Sequence, residues 1–85
     1  MQSVEIYTTQ ICGFCHAAKN LLTKKGVSFT EIDVGRHPEK RAEMTDRAFG
    51  GRTVPQIFVG ETHIGGCDDL YDLDRRGKLD ALLSG

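Results

Sequence analysis

The chain has 85 residues, 39% of them apolar and 27% charged, and a formal net charge of −1. That length fits one domain spanning residues 1–85, with a thin core and no room for a second. The eleven basic residues are scattered among twelve acidic ones, an arrangement that argues against a nucleic-acid footprint or a polybasic membrane patch.

The first residues lack the basic start and apolar run of a signal peptide, and no later stretch approaches a membrane span, so a soluble cytoplasmic protein is expected. Val4-Glu5-Ile6-Tyr7 alternates as a strand, and the polar Thr8-Thr9-Gln10 follows as a loop. Cys12 and Cys15 come next. From Phe14 to Lys25, Ala18, Leu21 and Leu22 recur at helical spacing, and Gly26 stands where a left-handed cap stops a helix. Val27–Val34 is rich in β-branched and aromatic residues and reads as a second strand. Strand, helix and strand within about thirty residues make a crossover unit, so these two strands are expected to be parallel. Pro38 begins a second helical segment with a sparse stripe of Ala42, Met44, Thr45 and Phe49, ended by Gly50-Gly51. Gln56-Ile57-Phe58-Val59 and Thr62-His63-Ile64 flank Gly60-Glu61, the pattern of an antiparallel hairpin with a two-residue turn. Gly65-Gly66 breaks that run. Asp68 is the predicted N-cap of a last helical region, interrupted at Gly77, whose inner face is Leu70, Leu73, Leu79, Leu82 and Leu83.

Three cysteines are an odd number and a poor disulfide framework. A thiol at the start of a helix lies beside unpaired backbone N–H groups and the positive end of the dipole, both of which favour thiolate over thiol. Cys12 in Cys12-Gly13-Phe14-Cys15 is therefore the candidate nucleophile. Cys15 follows one helical turn later on the same face, within reach of a mixed disulfide formed at Cys12, and is the candidate resolving thiol. Two cysteines at this spacing are also half of a zinc site, which Cys67 and a histidine would complete. There is no second closely spaced ligand pair, however, and His16, His37 and His63 fall at no recognisable ligand spacing. Redox chemistry is the preferred reading, without a bound metal of that kind.

Four features together resemble the glutaredoxins, within the thioredoxin fold. They are the cysteine pair after Val4-Glu5-Ile6-Tyr7, the Thr53-Val54-Pro55 triplet, the segment Gly65-Gly66-Cys67-Asp68-Asp69-Leu70, and the absence of the longer elaborations of thioredoxin itself. The likeness runs over nearly the whole chain and is strongest to the small bacterial members. It implies an α/β thioredoxin-like fold, a four-stranded mixed β-sheet flanked by about three helices, with Pro55 cis and facing the cysteines. It also implies a glutathione-dependent thiol–disulfide oxidoreductase, with glutathione as co-substrate and oxidised or glutathionylated proteins as partners.

The glutathione-binding residues expected on this resemblance are Phe14, Arg47, Thr53, Val54, Pro55, Gly66, Cys67 and Asp68. Each has a plainer reading beside it. Pro55 sits at a strand entry, where its missing N–H is tolerated, and a cis turn there would leave Val54 free to pair with an extended peptide. Gly65-Gly66 permits close backbone approach, and the N–H groups of Cys67 and Asp68 at a helix start suit a γ-glutamyl carboxylate. Asp68 or Asp69 would then meet the ammonium, and ordinary capping by Asp68 is compatible with that backbone role. Arg47 is the expected partner of the tripeptide's other carboxylate, with Arg52 as a competing candidate and a solvated surface charge as the alternative. Phe14 either shields the reactive sulfur or is an incidental exposed aromatic. Tyr7, Phe29, Ile57, Phe58 and Val59 read as core or sheet residues, and Cys67 as a small buried hydrophobe.

The motif departs from the family pattern at two places. Dithiol glutaredoxins typically carry Pro and Tyr between the cysteines, whereas Gly13 and Phe14 match the monothiol class; many members have lysine where this chain has Thr9. The hybrid motif raises an alternative function, a carrier in which Cys12 and glutathione from each of two subunits hold a [2Fe–2S] cluster. Otherwise a monomer is expected. A thioredoxin-like enzyme reduced by a flavoprotein is a third reading.

Overall fold

The computed structural model describes residues 2–85; Met1, the first residue of the 1–85 unit, lies outside the described residues. The elements follow in the order β1 (Val4–Thr8), α1 (Gly13–Lys24), β2 (Thr30–Asp33), α2 (Glu39–Arg47), β3 (Gln56–Val59), β4 (Thr62–Gly65), α3 (Cys67–Arg75) and α4 (Leu79–Ser84). The four strands form one mixed sheet in the order β2-β1-β3-β4. β1 runs parallel to β2, with Glu5 opposite Thr30 and Thr8 opposite Asp33. It runs antiparallel to β3, with Val4 opposite Val59, and β3 and β4 form the hairpin.

Alternation along the strands sorts the core into two layers. Val4 and Ile6 of β1 join Ile57 and Val59 of β3 on the face covered by Ala18 and Leu22 of α1, Leu70 of α3, and Leu79 and Leu83 of α4. Tyr7 points the other way and packs with Val34, Met44, Ala48 and Phe58 beneath α2. Leu70 is wholly buried, and truncating such a residue to alanine costs about 2–5 kcal/mol. No helix among the described residues is long and apolar enough to cross a membrane.

The structure corrects the expected boundaries in four places, each for a local reason. β2 covers Thr30–Asp33 instead of Val27–Val34, because the Val27 N–H is donated to the Leu22 carbonyl at 3.1 Å and closes α1 after the left-handed Gly26. Phe49 does not join the inner stripe of α2. The helix ends at Arg47 and the backbone turns left-handed at Phe49, φ 55°, leaving its ring 88% exposed. The last helical region is two helices, α3 and α4, parted at the left-handed Gly77, which gives four helices in place of about three. Finally, α3 is capped at Gly66 and not by Asp68: the Asp69 carboxylate accepts the Gly66 N–H at 2.9 Å. The same carboxylate fills the space beside Gly65, where φ is 116° and any Cβ would run into it.

Candidate active site

Cys12 is the N-cap residue of α1, with extended backbone angles. Its sulfur accepts the N–H of Cys15 at 3.1 Å, so one of the unpaired amides of the first helical turn is aimed at it. As a thiol it also lies 3.6 Å from the Val54 carbonyl, which ties the cysteine loop to the Thr53-Val54-Pro55 segment. The Val54–Pro55 peptide bond is cis, as expected.

The three cysteines are free thiols, Cys12 half-buried and Cys15 and Cys67 buried. Burial, followed by the hydrogen bond with Cys12, pushes the Cys15 thiol up to about 12. Burial likewise raises the Cys67 thiol, with smaller contributions from the Asp68 and Cys12 charges. At neutral pH both keep their protons. Only Cys12 combines access with an amide directed at its sulfur.

Beside it opens a cleft of about 470 Å³ lined by residues from three separate parts of the chain: Phe14 of α1, Thr53 to Gln56, and His63 with Gly65 to Asp69. Of the residues expected at the site, Phe14, Thr53, Val54, Pro55, Gly66, Cys67 and Asp68 all lie on its walls. Phe14 stands 66% exposed on the rim. Cys67 and Asp68, both on the cleft wall, form the first turn of α3, whose N–H groups lack partners within the helix. With Asp69 engaged at Gly66, the exposed Asp68 carboxylate is the one left for other partners.

Arg47 is elsewhere. Its guanidinium donates to Glu5 at 2.9 Å and to the Tyr7 hydroxyl at 2.8 Å, and lies 4.1 Å from the centroid of the Phe58 ring. These partners hold it on the α2 face of the sheet, off the cleft walls. Arg52, the competing candidate, does not line the cleft either; its carbonyl accepts from the Arg41 guanidinium at 3.0 Å. The sequence reading missed two residues that do line the cleft, Gln56 and His63. Their signal was present as polar side chains within the two apolar strands of one hairpin.

A larger polar cleft of about 750 Å³ lies on the other side of α1, between Gln10, His16, Lys19, Glu31, Arg36 and Lys40. It contains no cysteine. Lys19 pairs with Glu31 at 3.0 Å, and Asp33 accepts the backbone N–H groups of Gly35 and Arg36, so much of its charge is satisfied internally.

The glutaredoxin family model matches residues 4–64 of the sequence. The chain belongs to the glutaredoxin family. It is 60% identical over 84 residues to a glutaredoxin of Pseudomonas aeruginosa, covering 99% of both chains. It is 58% identical over 83 residues to glutaredoxin 3 of Escherichia coli strain K12, covering 98% of this chain and 99% of that one. Among solved structures, the solution structure of a glutaredoxin from Brucella melitensis matches with a TM-score of 0.84 at 55% identity, over 98% of this chain and 89% of that one. A crystal structure of a buckwheat glutaredoxin-glutathione complex matches with a TM-score of 0.89 at 30% identity, over 98% and 77%. This glutaredoxin is accordingly a thiol–disulfide oxidoreductase with the thioredoxin fold.

Proposed function

We propose that this glutaredoxin takes its electrons from glutathione and reduces glutathione mixed disulfides and protein disulfides through Cys12, with Cys15 as the resolving thiol. The observation that carries the reading is the cleft beside the one accessible cysteine sulfur. Val54 lies outside the β3 ladder and offers its backbone to an extended peptide. The N–H groups at the start of α3 suit a carboxylate, and the Asp68 side chain beside them suits an ammonium. A γ-glutamyl group carries both charges on one carbon. The buckwheat relative solved as a glutathione complex supports the assignment.

In the reaction, the Cys12 thiolate attacks the glutathione sulfur of a mixed disulfide, the S–S bond breaks, and the protein thiolate leaves and takes a proton from water. Cys12 then carries glutathione. A second glutathione thiolate attacks that glutathionyl sulfur and releases oxidised glutathione, restoring the Cys12 thiolate. One mixed disulfide and one glutathione thus give one protein thiol and one oxidised glutathione. With a protein disulfide, Cys15 must lose its proton and attack the Cys12 sulfur, forming the Cys12–Cys15 disulfide that two glutathiones then reduce. Burial, the largest cause of the raised Cys15 pKa, remains once Cys12 is blocked, so this route depends on a proton leaving Cys15 first.

The test is a pair of variants assayed with a glutathionylated peptide and glutathione. Cys12→Ser should abolish turnover, and Cys15→Ser should retain it while losing the dithiol reduction of protein disulfides. Turnover by the Cys12→Ser variant would overturn the assignment.

A second reading comes from the hybrid motif Cys12-Gly13-Phe14-Cys15, in which an added Cβ at Gly13 would meet nothing within 4 Å. Cys15 and Cys67 are buried and burial raises both thiols, so each chain offers a single accessible cysteine sulfur. The four thiolates of a [2Fe–2S] cluster would be Cys12 and a bound glutathione from each of two chains. Anaerobic reconstitution with iron, sulfide and glutathione decides it: a coloured dimer supports the carrier, and a colourless monomer refutes it. A reducing compartment such as the cytoplasm, where thiols persist, suits either reading.

A further inference from the structure

Two polar side chains on the floor of the cleft have no part in the thiol chemistry. Gln56 is buried and His63 half-buried, and both line the cleft. The His63 ring stacks on Phe58 with centroids 4.9 Å apart, and its Nε2 lies 2.7 Å from Gln56 Oε1. An amide oxygen can only accept, so His63 Nε2 carries a proton and donates it. In this arrangement the Gln56 amide presents Oε1 to His63. Its Nε2 is then turned to Thr53 and donates to the hydroxyl oxygen at 3.4 Å. A hydroxyl that accepts on one side directs its own hydrogen elsewhere, and Thr53 is exposed on the cleft wall.

We infer that His63 and Gln56 are positioning residues, forming a one-way hydrogen-bond chain from His63 through Gln56 to Thr53 that aims the Thr53 hydroxyl into the cleft as a donor. Its acceptor is a carbonyl or carboxylate oxygen of the bound peptide, and the inference rests on the reading of the cleft as a glutathione site. The ring's stacking on Phe58 and the burial of the amide hold the relay in register.

The experiment is a double-mutant cycle in the full-length protein, with KM and kcat measured on a glutathionylated peptide. His63→Phe keeps a ring against Phe58 but removes the N–H, and Thr53→Val removes the hydroxyl. Each should raise KM about three- to tenfold, the effect of losing one well-made hydrogen bond, with kcat little changed. The double variant should be no worse than either single one, because both break the same chain. His63→Gln, which restores an N–H donor, should return KM toward the wild-type value. Should His63→Phe fail to fold by circular dichroism, Gln56→Met takes its place in the cycle. Additive effects on KM, or an unchanged KM in His63→Phe, would overturn the relay while leaving the glutathione reading in place. A wild-type protein that shows no saturation with the glutathionylated peptide would overturn both.

Discussion

Replacing Arg47 by alanine separates a ligand-binding arginine from a structural one. The guanidinium bridges Glu5, 42 residues away in sequence, and the buried Tyr7 hydroxyl while lying over Phe58. Arg47 and Glu5 are 28% and 33% exposed, so their ion pair contributes about 0.5–1 kcal/mol. The stack on Phe58 adds about 0.5–1 kcal/mol, and the lost Arg47–Tyr7 hydrogen bond costs about 1 kcal/mol. The loss of about 2 kcal/mol in a protein of this size lowers Tm by about 8–16 °C. The assay is a thermal melt by circular dichroism at pH 7 beside the KM for a glutathionylated peptide measured well below Tm. The KM should stay close to that of the wild-type protein. A Tm within about 2 °C of wild type together with a several-fold rise in KM would refute the structural role and return Arg47 to the glutathione site.

Alkylation by iodoacetamide at pH 7.5, followed by mass spectrometry, should label Cys12 and spare Cys15, which is buried and whose thiol is pushed up to about 12; comparable rates at the two sulfurs would contradict that assignment. The pH dependence of stability follows in sign: burial raises the folded-state pKa of Cys15 from an ordinary 9.0 and also raises those of Cys67 and Tyr7. Stability from these thiols is fully present below pH 9 and is lost as pH climbs toward 12, so the urea midpoint should fall steadily over that range, less so in Cys15→Ala. Asp69→Ala removes the carboxylate that caps α3 and should cost about 1 kcal/mol and lower Tm by about 4–8 °C, whereas Asp68→Ala should leave Tm nearly unchanged.

Much of the fold was readable because it rests on local patterns. The alternation of Val4 to Tyr7, the Gly60-Glu61 turn and the left-handed Gly26 each act within a few residues, and all three stand where the sequence placed them. The cysteine pair at the start of α1 was legible for the same reason. What escaped depends on where an element stops or on a distant partner. Choosing between Asp68 and Asp69 as the cap requires knowing that α3 starts at Cys67, which places Asp69, and not Asp68, opposite the Gly66 N–H. Phe49 looked like part of a stripe because nothing local announces that the helix ends two residues earlier. Arg47 stands near the end of α2 as expected, but Glu5 and Tyr7 claim it across the sheet, a contact no spacing rule reveals. Gln56 and His63 meet through the register of β3 and β4, so their pairing becomes visible only with the hairpin assembled.

The most direct test of glutathione binding in the cleft beside Cys12 is a comparison of backbone amide NMR spectra of the Cys15→Ser variant, free and with glutathione disulfide-linked to Cys12. The expected shifts fall on Phe14, Thr53, Val54, Cys67 and Asp68, with Lys19, Arg36 and Lys40 of the larger polar cleft unmoved. Shifts concentrated on Lys19, Arg36 and Lys40, or a Cys12 that forms no glutathione adduct at all, would contradict it.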